Sequence, residues 1–310
     1  MVPENYVSQS PDRWRCVRDQ RTGQLQNNFQ TTRLWLLFVG IGVKKIHKLQ
    51  TKVQIHPMAL VDPGAELGSG VTIGAFSVIG AGVVIGDGTE IMNHVTIEGP
   101  TRIGKGNRFF PYVSIGMEPQ DKKFEGEACS TLTIGDGNTF REFVTIHRGT
   151  RQDKGCTSIG DDNWVMAYCH IAHDCTVGNK TIFANGATLG GHVVVEDMAL
   201  LGGFTAVHQH CTIGAVSMTG GHTMVAQDIA PFTKAVGNRV KLFGINRIGL
   251  DRNGYSPEEI NNILRAYRIF FRSKLSASEG LLKLEQELGH SPAVRHLIGF
   301  IKNSKRGLCR

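Results

Sequence analysis

The sequence predicts an all-β solenoid of hexapeptide repeats followed by a small α-helical C-terminal domain. Three observations predict it. From Ile55 an apolar residue returns at every sixth position, as Val61, Leu67, Ile73, Ile79, Ile85, Ile91, Ile97, Ile103, Phe109 and Ile115, and a second column runs from Ile159 to Ile213. Such a period fits neither a helix, which repeats at about 3.6, nor a half-buried strand, which repeats at about 2, but marks a hexapeptide β-helix. Gly is abundant, at 38 of 310 residues, while aromatics are only 7%, which suits tight corners between short strands. Finally, the period ends at Pro231 and helix-start signals follow it.

Residues 1–50 share none of this pattern and are set apart as an N-terminal extension. They contain the apolar run Leu34 to Val43, about half the length a membrane-spanning helix needs. Arg33 and Lys44 flank it as in a targeting segment, but Glu4, Asp12 and Asp19 lie in the leader and no small-residue cleavage site follows. The expectation is an unstructured extension, or a start codon placed too far upstream, with no integral membrane segment.

The solenoid is expected over residues 51–232. Gly68, Gly74, Gly80, Gly86, Gly104 and Gly116 each follow a column residue, where a corner should need a residue without a Cβ. Fragments such as Gly68-Ser69-Gly70 are not dinucleotide loops, because no helical pattern follows them. The column restarts in a new register at Ile134, Phe140 and Ile146 and again at Ile159, so two segments, about 117–133 and 147–158, must loop out of the coil. Loops carried on a rigid scaffold are where function concentrates. The first holds the polar cluster Gln120, Asp121, Lys122 and Lys123. Thr219 breaks the later column and Val225 resumes it.

Residues 233–310 are expected to form the helical domain. Asn246 to Gly254 reads as a Gly-rich connector, and Ser256-Pro257-Glu258-Glu259 supplies an N-cap, a first-turn proline and early acids. That helix should run to about Arg272, a second should cover about Ser278 to Leu288, and Ser291-Pro292 opens a third. Ile260, Ile263, Leu264, Tyr267 and Phe271 fall on one stripe and should face the core.

The net charge of +7 is unevenly spread. Residues 1–50 carry 8 basic and 3 acidic side chains, residues 51–230 carry 11 and 18, and residues 231–310 carry 15 and 6. An acidic body with basic ends argues against nucleic acid along the solenoid and places any anionic partner at the C-terminal segment. The seven cysteines, Cys16, Cys129, Cys156, Cys169, Cys175, Cys211 and Cys309, are odd in number and contain no C-x-x-C pair. They read as reduced packing thiols of a cytoplasmic protein.

If three hexapeptides make one coil, residues eighteen apart stack on one face. His173 then lines up with Gly191 and Gln209, and His192, His208 and His210 lie one position to either side. With His170 and His222, six of the twelve histidines fall between residues 170 and 222. Three chemistries could use such a wall. Three histidines could bind zinc, as in hexapeptide-repeat carbonic anhydrases, but their pair spaced by five positions is missing here. No Ser or Cys sits in a recognisable nucleophile context. General-base acyl transfer needs least: His173 as base, Asp174 to orient it, and the Gly191 N–H for a developing oxyanion.

Six stretches resemble one family, the UDP-N-acetylglucosamine O-acyltransferases that begin lipid A biosynthesis. They are SIGMEPQDKKFEGE at 114–127, REFVTIHRGT at 141–150, HIAHDCTVGN at 170–179, TAVHQ at 205–209, VAQDIAPF at 225–232 and FGINRIGLDRNG at 243–254, within a resemblance covering about 55–310. The resemblance implies a left-handed parallel β-helix and a homotrimer with active sites between subunits, and the enzyme is expected in the cytoplasm with no cofactor or metal. The resemblance also implies transfer of an (R)-3-hydroxyacyl chain from acyl carrier protein to the sugar 3-hydroxyl.

Carried over by position, His173 resembles the family's general base, Asp174 its partner, and Gly191 the oxyanion donor. His170, His192 and His208 match histidines that line the cleft. Gln120, Asp121, Lys123 and Gln209 match contacts to acyl chain or sugar. Arg239, Asn246 and Arg252 are assigned to substrate binding, the last two at the nucleotide, where a guanidinium suits a pyrophosphate. Gly221 falls where the family sets acyl length, and its missing side chain favours a longer chain. Ile248 replaces a usual acid, Asn253 a usual base, and His210 stands where an aromatic is common. Acyl carrier protein, being acidic, should dock on the basic C-terminal segment. The alternatives are a hexapeptide acyltransferase acting on the amine of another nucleotide sugar, a zinc-dependent carbonic anhydrase-like protein, and a metal-free structural trimer.

Overall fold

The computed structural model describes residues 52–126 and 130–310. The N-terminal extension of residues 1–50, with its apolar run, lies outside them, as do Cys16 and Cys129. Three sheets form the walls of the solenoid, with 11, 9 and 8 strands, most of only two residues. All pairings are parallel but one, and uninterrupted coils pair residues eighteen apart, as Ile55 with Ile73 and Ile171 with Leu189. Where Phe109 pairs with Phe140 and Phe140 with Val165, the spacing grows by thirteen and then seven residues. These extra residues are the two expected loops, which leave the coil after Met117 and His147 and rejoin it at Thr131 and Cys156.

The six-residue column is the core. Ile79, Ile97, Phe109, Ile146, Phe183 and Leu201 are each at most 1% exposed, and each such side chain withdrawn from water contributes about 1.5–3 kcal/mol. Phe109 and Phe140 stack at 5.1 Å. Thr219 breaks the column without leaving it: it is fully buried, and its hydroxyl lies 2.9 Å from that of Thr205. The opening coil is the exception, with Ile55 46% exposed and Val61 and Leu67 only partly buried.

One corner is held by an amide ladder. Asn107 Oδ1 accepts from Asn138 Nδ2 at 3.0 Å, Asn138 Oδ1 from Asn163 Nδ2 at 2.9 Å, and Asn163 Oδ1 from Thr181 Oγ1 at 2.6 Å. All four are essentially buried. At a second corner Phe76, His94, Tyr112, Phe143 and Tyr168 stack at 4.9–5.0 Å. These ring-bearing residues take left-handed backbone, as do Asp174, His192 and His210 at the third corner.

Most of the expected glycines therefore do not mark the corner itself, although Gly116, at φ 73°, and glycines outside that set such as Gly82, Gly88 and Gly106 do take the left-handed turn. Gly68, Gly74, Gly86 and Gly104 lie just before it, and a Cβ on any of them would come within 2.1–2.7 Å of atoms in the next coil. The close approach between coils, rather than backbone freedom, demands glycine there.

Residues 233–310, expected to form the helical domain, begin with strand. Thr233–Val236 extends the 11-stranded sheet and pairs antiparallel with Lys241–Ile245. The expected connector after Asn246 contains a short helix, α1, Arg247–Arg252. The Asn246 side chain accepts from the Gly249 N–H, a local cap that overrides the glycine. Next come α2, Pro257–Tyr267, continued by a π-turn over Arg268–Arg272, then α3, Ala277–Leu288, and α4, Pro292–Asn303. Ser256, Ser276 and Ser291 cap them. Ile260, Ile263 and Tyr267 are buried, as the stripe requires, with Leu264 and Phe271 partly buried beside them. No helix among the described residues is long and apolar enough to cross a membrane.

Candidate active site

His170 opens the strand that runs from the second corner to the third, where Asp174 and His192 take left-handed turns one coil apart and His173 comes just before Asp174. Asp174 is fully buried. Its Oδ2 lies 2.9 Å from His173 Nδ1 and accepts from Thr150 Oγ1 at 2.7 Å, and the Thr150 N–H reaches both carboxylate oxygens at 3.0–3.1 Å. Burial alone would raise the Asp174 pKa, but the hydrogen bonds from His173 and Thr150 outweigh it and hold the carboxyl below its usual range. A carboxylate fixed in this way holds the proton on His173 Nδ1 and leaves Nε2 as the free ring nitrogen.

Gly191 is required by this arrangement. A Cβ there would lie 2.6 Å from Cε1 and 2.7 Å from Nε2 of His173, so any side chain would push the imidazole away. Its N–H makes no backbone hydrogen bond among the described residues. Gln209 follows one coil on, where eighteen-residue stacking puts it.

The other imidazoles are each held differently. His192 Nδ1 pairs with Asp153 at 2.7 Å, its ring stands edge-on to His173 at 5.0 Å, and it stacks on His210 at 4.3 Å. His170 Nδ1 lies 2.7 Å from Thr145 Oγ1, and its ring meets His147 edge-on at 4.8 Å. Burial, then the neighbouring His173, pushes the His170 pKa down; burial, then His170 and His173, pushes that of His147 to about 4.

These groups line a cavity of about 1280 Å³. Gln120, Asp121, Lys123, His170, His173, His192 and Gln209 all open onto it, so the first loop and the histidine wall meet at one cavity. His208 stands exposed at its edge, Nδ1 3.2 Å from Arg306. Gly221, Arg239, Asn246 and Arg252 do not reach it. Gly221 lies at the aromatic corner, against Gly203. Arg239 is in the turn after Thr233–Val236, and Arg252 is exposed at the end of α1. Asn246 is 7% exposed, and its amide is spent on Val216 O and on the α1 cap.

The expected wall omitted several members. Thr150, Asp153 and Lys154 come from the second loop, and Asn303, Lys305 and Arg306 from the C-terminal tail. Thr150 and His147 lie inside the stretch REFVTIHRGT, which offered the signal. The seven-residue excess of that coil hid their place in the stack. Nothing in the local sequence of the tail marks it as part of a cavity.

His173, Asp174 and His192 put donor atoms within 4.8 Å of one another, a set that could approach a cation. Asp174, however, already accepts hydrogen bonds at both oxygens and serves His173. Cys175 is fully buried and its thiol is pushed up to about 12 by that burial, which suits packing and not nucleophilic attack. The five described cysteines are all free thiols.

The chain is similar to proteins of known class along most of its length. A family profile described as UDP N-acetylglucosamine O-acyltransferase, domain 2, matches residues 228–309, and a bacterial transferase hexapeptide profile matches 156–191. A protein of Halorhodospira halophila is 51% identical over 257 residues, covering 83% of this chain and 99% of the relative. One from Janthinobacterium is 53% identical over 260 residues, with the same coverage. Both are named acyl-(acyl-carrier-protein)–UDP-N-acetylglucosamine O-acyltransferase. Among solved structures, the UDP-N-acetylglucosamine O-acyltransferase of Moraxella catarrhalis is 41% identical, with a TM-score of 0.80 over 83% of this chain and 99% of that one. The UDP-N-acetylglucosamine acyltransferase of Francisella novicida is 37% identical, with a TM-score of 0.81 over 83% and 94%.

Proposed function

Because the chain belongs to the UDP-N-acetylglucosamine O-acyltransferase family, we infer that it moves an acyl chain from acyl carrier protein to a hydroxyl of UDP-N-acetylglucosamine. Its solenoid is the left-handed β-helix of that family. The acyl group is read as an (R)-3-hydroxyacyl chain and the acceptor as the sugar 3-hydroxyl, the opening step of lipid A biosynthesis in the cytoplasm. The single observation that carries a base mechanism is the buried Thr150–Asp174–His173 chain, which leaves His173 Nε2 facing the cavity.

In this reading Nε2 takes the proton of the sugar hydroxyl as that oxygen attacks the thioester carbonyl. The new C–O bond makes a tetrahedral oxyanion, for which the uncommitted Gly191 N–H is the proposed donor. Collapse breaks the C–S bond, and the imidazolium returns its proton to the departing sulfur. Asp174, held ionised, stabilises that imidazolium and fixes the ring. His173→Ala should lower kcat at least about a hundredfold. A folded variant within tenfold of the parent in a thioester-consumption assay would remove His173 from the role. Running the assay with the 3-amino analogue of the sugar separates an oxygen from a nitrogen acceptor.

A homotrimer with sites between subunits is part of the same reading. Gly221 sits at a different corner from His173, and Arg239, Asn246 and Arg252 lie away from the cavity, so a neighbouring copy is the natural source of the acyl-length and nucleotide contacts. The exposed ring ladder, with Phe76 52%, Tyr112 50% and Tyr168 63% exposed, supplies apolar surface for such contact. The acidic carrier is assigned to the basic C-terminal segment. Its kcat/KM should therefore fall as salt rises from low to physiological levels, and an unchanged value would remove that docking surface.

A further inference from the structure

The C-terminal tail is tied back onto the solenoid. Asp228, 1% exposed, donates its N–H to Gly307 O at 2.9 Å and accepts at its own O from the Cys309 N–H at 2.9 Å. Its Oδ2 takes the Ser304 hydroxyl at 2.6 Å, and the buried Cys309 thiol contacts Val240 O at 3.3 Å. Residues 304–309 are thus fixed at both ends. Arg306, between the anchors, is held at the mouth of the catalytic cavity with one guanidinium nitrogen 3.2 Å from His208 Nδ1.

Its cationic neighbours are not neutralised there. Lys123, Lys154 and Lys305 line the same cavity. The carboxylates that line it are committed: Asp121 accepts from the Lys123 N–H at 3.0 Å, and Asp153 pairs with His192 at 2.7 Å. Among the described residues, no carboxylate lies within ion-pair distance of Lys305 or Arg306. A positioned guanidinium without a counter-ion, at the mouth of a cavity, is matched to an oxyanion that arrives with substrate.

We propose that Arg306, anchored by the Asp228 bridge, binds a phosphate group of a substrate during acyl transfer. The inference rests on the acyltransferase reading above, whose two substrates each carry phosphate. One is the pyrophosphate of the nucleotide sugar, and the other is the phosphodiester of the carrier's prosthetic arm.

Steady-state kinetics of full-length Arg306→Ala and Arg306→Lys, varying each substrate in turn, tests it. The Ala variant should raise one KM at least about tenfold, the cost of a lost charge-assisted hydrogen bond, while kcat stays within about threefold. The Lys variant should recover part of that loss. A rise confined to the nucleotide sugar assigns the pyrophosphate, and a rise confined to the carrier assigns the arm. Melting temperatures matching the parent show that the tail remains docked. If the Ala variant fails to fold, the Lys variant, which keeps the aliphatic stem, bears the test with an expected rise of about threefold. Both KM values within twofold of the parent, a fall in kcat alone, or a loss on both substrates accompanied by a lower melting temperature would overturn the proposal. A parent enzyme that transfers no acyl group to UDP-N-acetylglucosamine would instead defeat the underlying reading.

Discussion

His147 and Asp174 both interact with His173, the proposed base, and answer to pH in the same direction for different reasons. His147 is kept from protonating until about pH 4 by its burial and by His170 and His173. An unfolded histidine takes up its proton near about pH 6.5. Between those values the unfolded chain binds a proton that the folded chain refuses, so stability falls as pH drops through that window. Asp174, held below its ordinary value of 3.8, contributes stability that is present above that value and lost as pH falls further. Denaturant titrations from pH 7 to 4 should show the upper slope, and His147→Gln should flatten it. A variant whose curve parallels the parent would assign the slope elsewhere, with His170, shifted the same way, as the first candidate. The sequence alone brought His173, Gly191 and Gln209 together, because a six-residue period lets stacking be counted. It could not mark Thr150, whose separation of 24 residues from Asp174 includes the loop excess.

The Asn107–Asn138–Asn163 ladder shows how a β-helix keeps its coils in register without apolar contact. Each amide oxygen accepts both the backbone N–H and the side-chain N–H of the next asparagine. Asn138→Ala would strand two buried donors of Asn163, at a cost on the order of 2–4 kcal/mol. Equilibrium unfolding measures it, and a loss under about 1 kcal/mol would mean that water or a relaxed turn replaces the oxygen. This ladder bridges both loop insertions, so spacing by eighteen could not reveal it. Elements set by local chemistry were legible: the serine caps of α2 and α4, and the buried stripe of α2, whereas Ser276, the cap of α3, lies two residues before the expected start at Ser278. The Thr233–Ile245 hairpin was not, because it is recruited by the open end of an existing sheet, and α1 was masked by its glycine.

In the molecule as a whole, the two ends of the described solenoid are unequal. At the C-terminal end the 11-stranded sheet finishes in an antiparallel hairpin, and the tail bridge to Asp228 closes over the coils that carry the site. At the other end the opening coil leaves Ile55, Met58 and Leu60 about half or more exposed, at 46%, 55% and 69%. A solenoid's stability is a sum of neighbour-to-neighbour terms, so a weak terminal coil opens without the rest. Amide exchange should therefore proceed as a directional front, fastest at 54–67 and slowest around 140–213. Uniform protection along the column would contradict it. The consequence is an insulated histidine wall: thermal fluctuations spend themselves on the opening coils, and the cavity experiences them last.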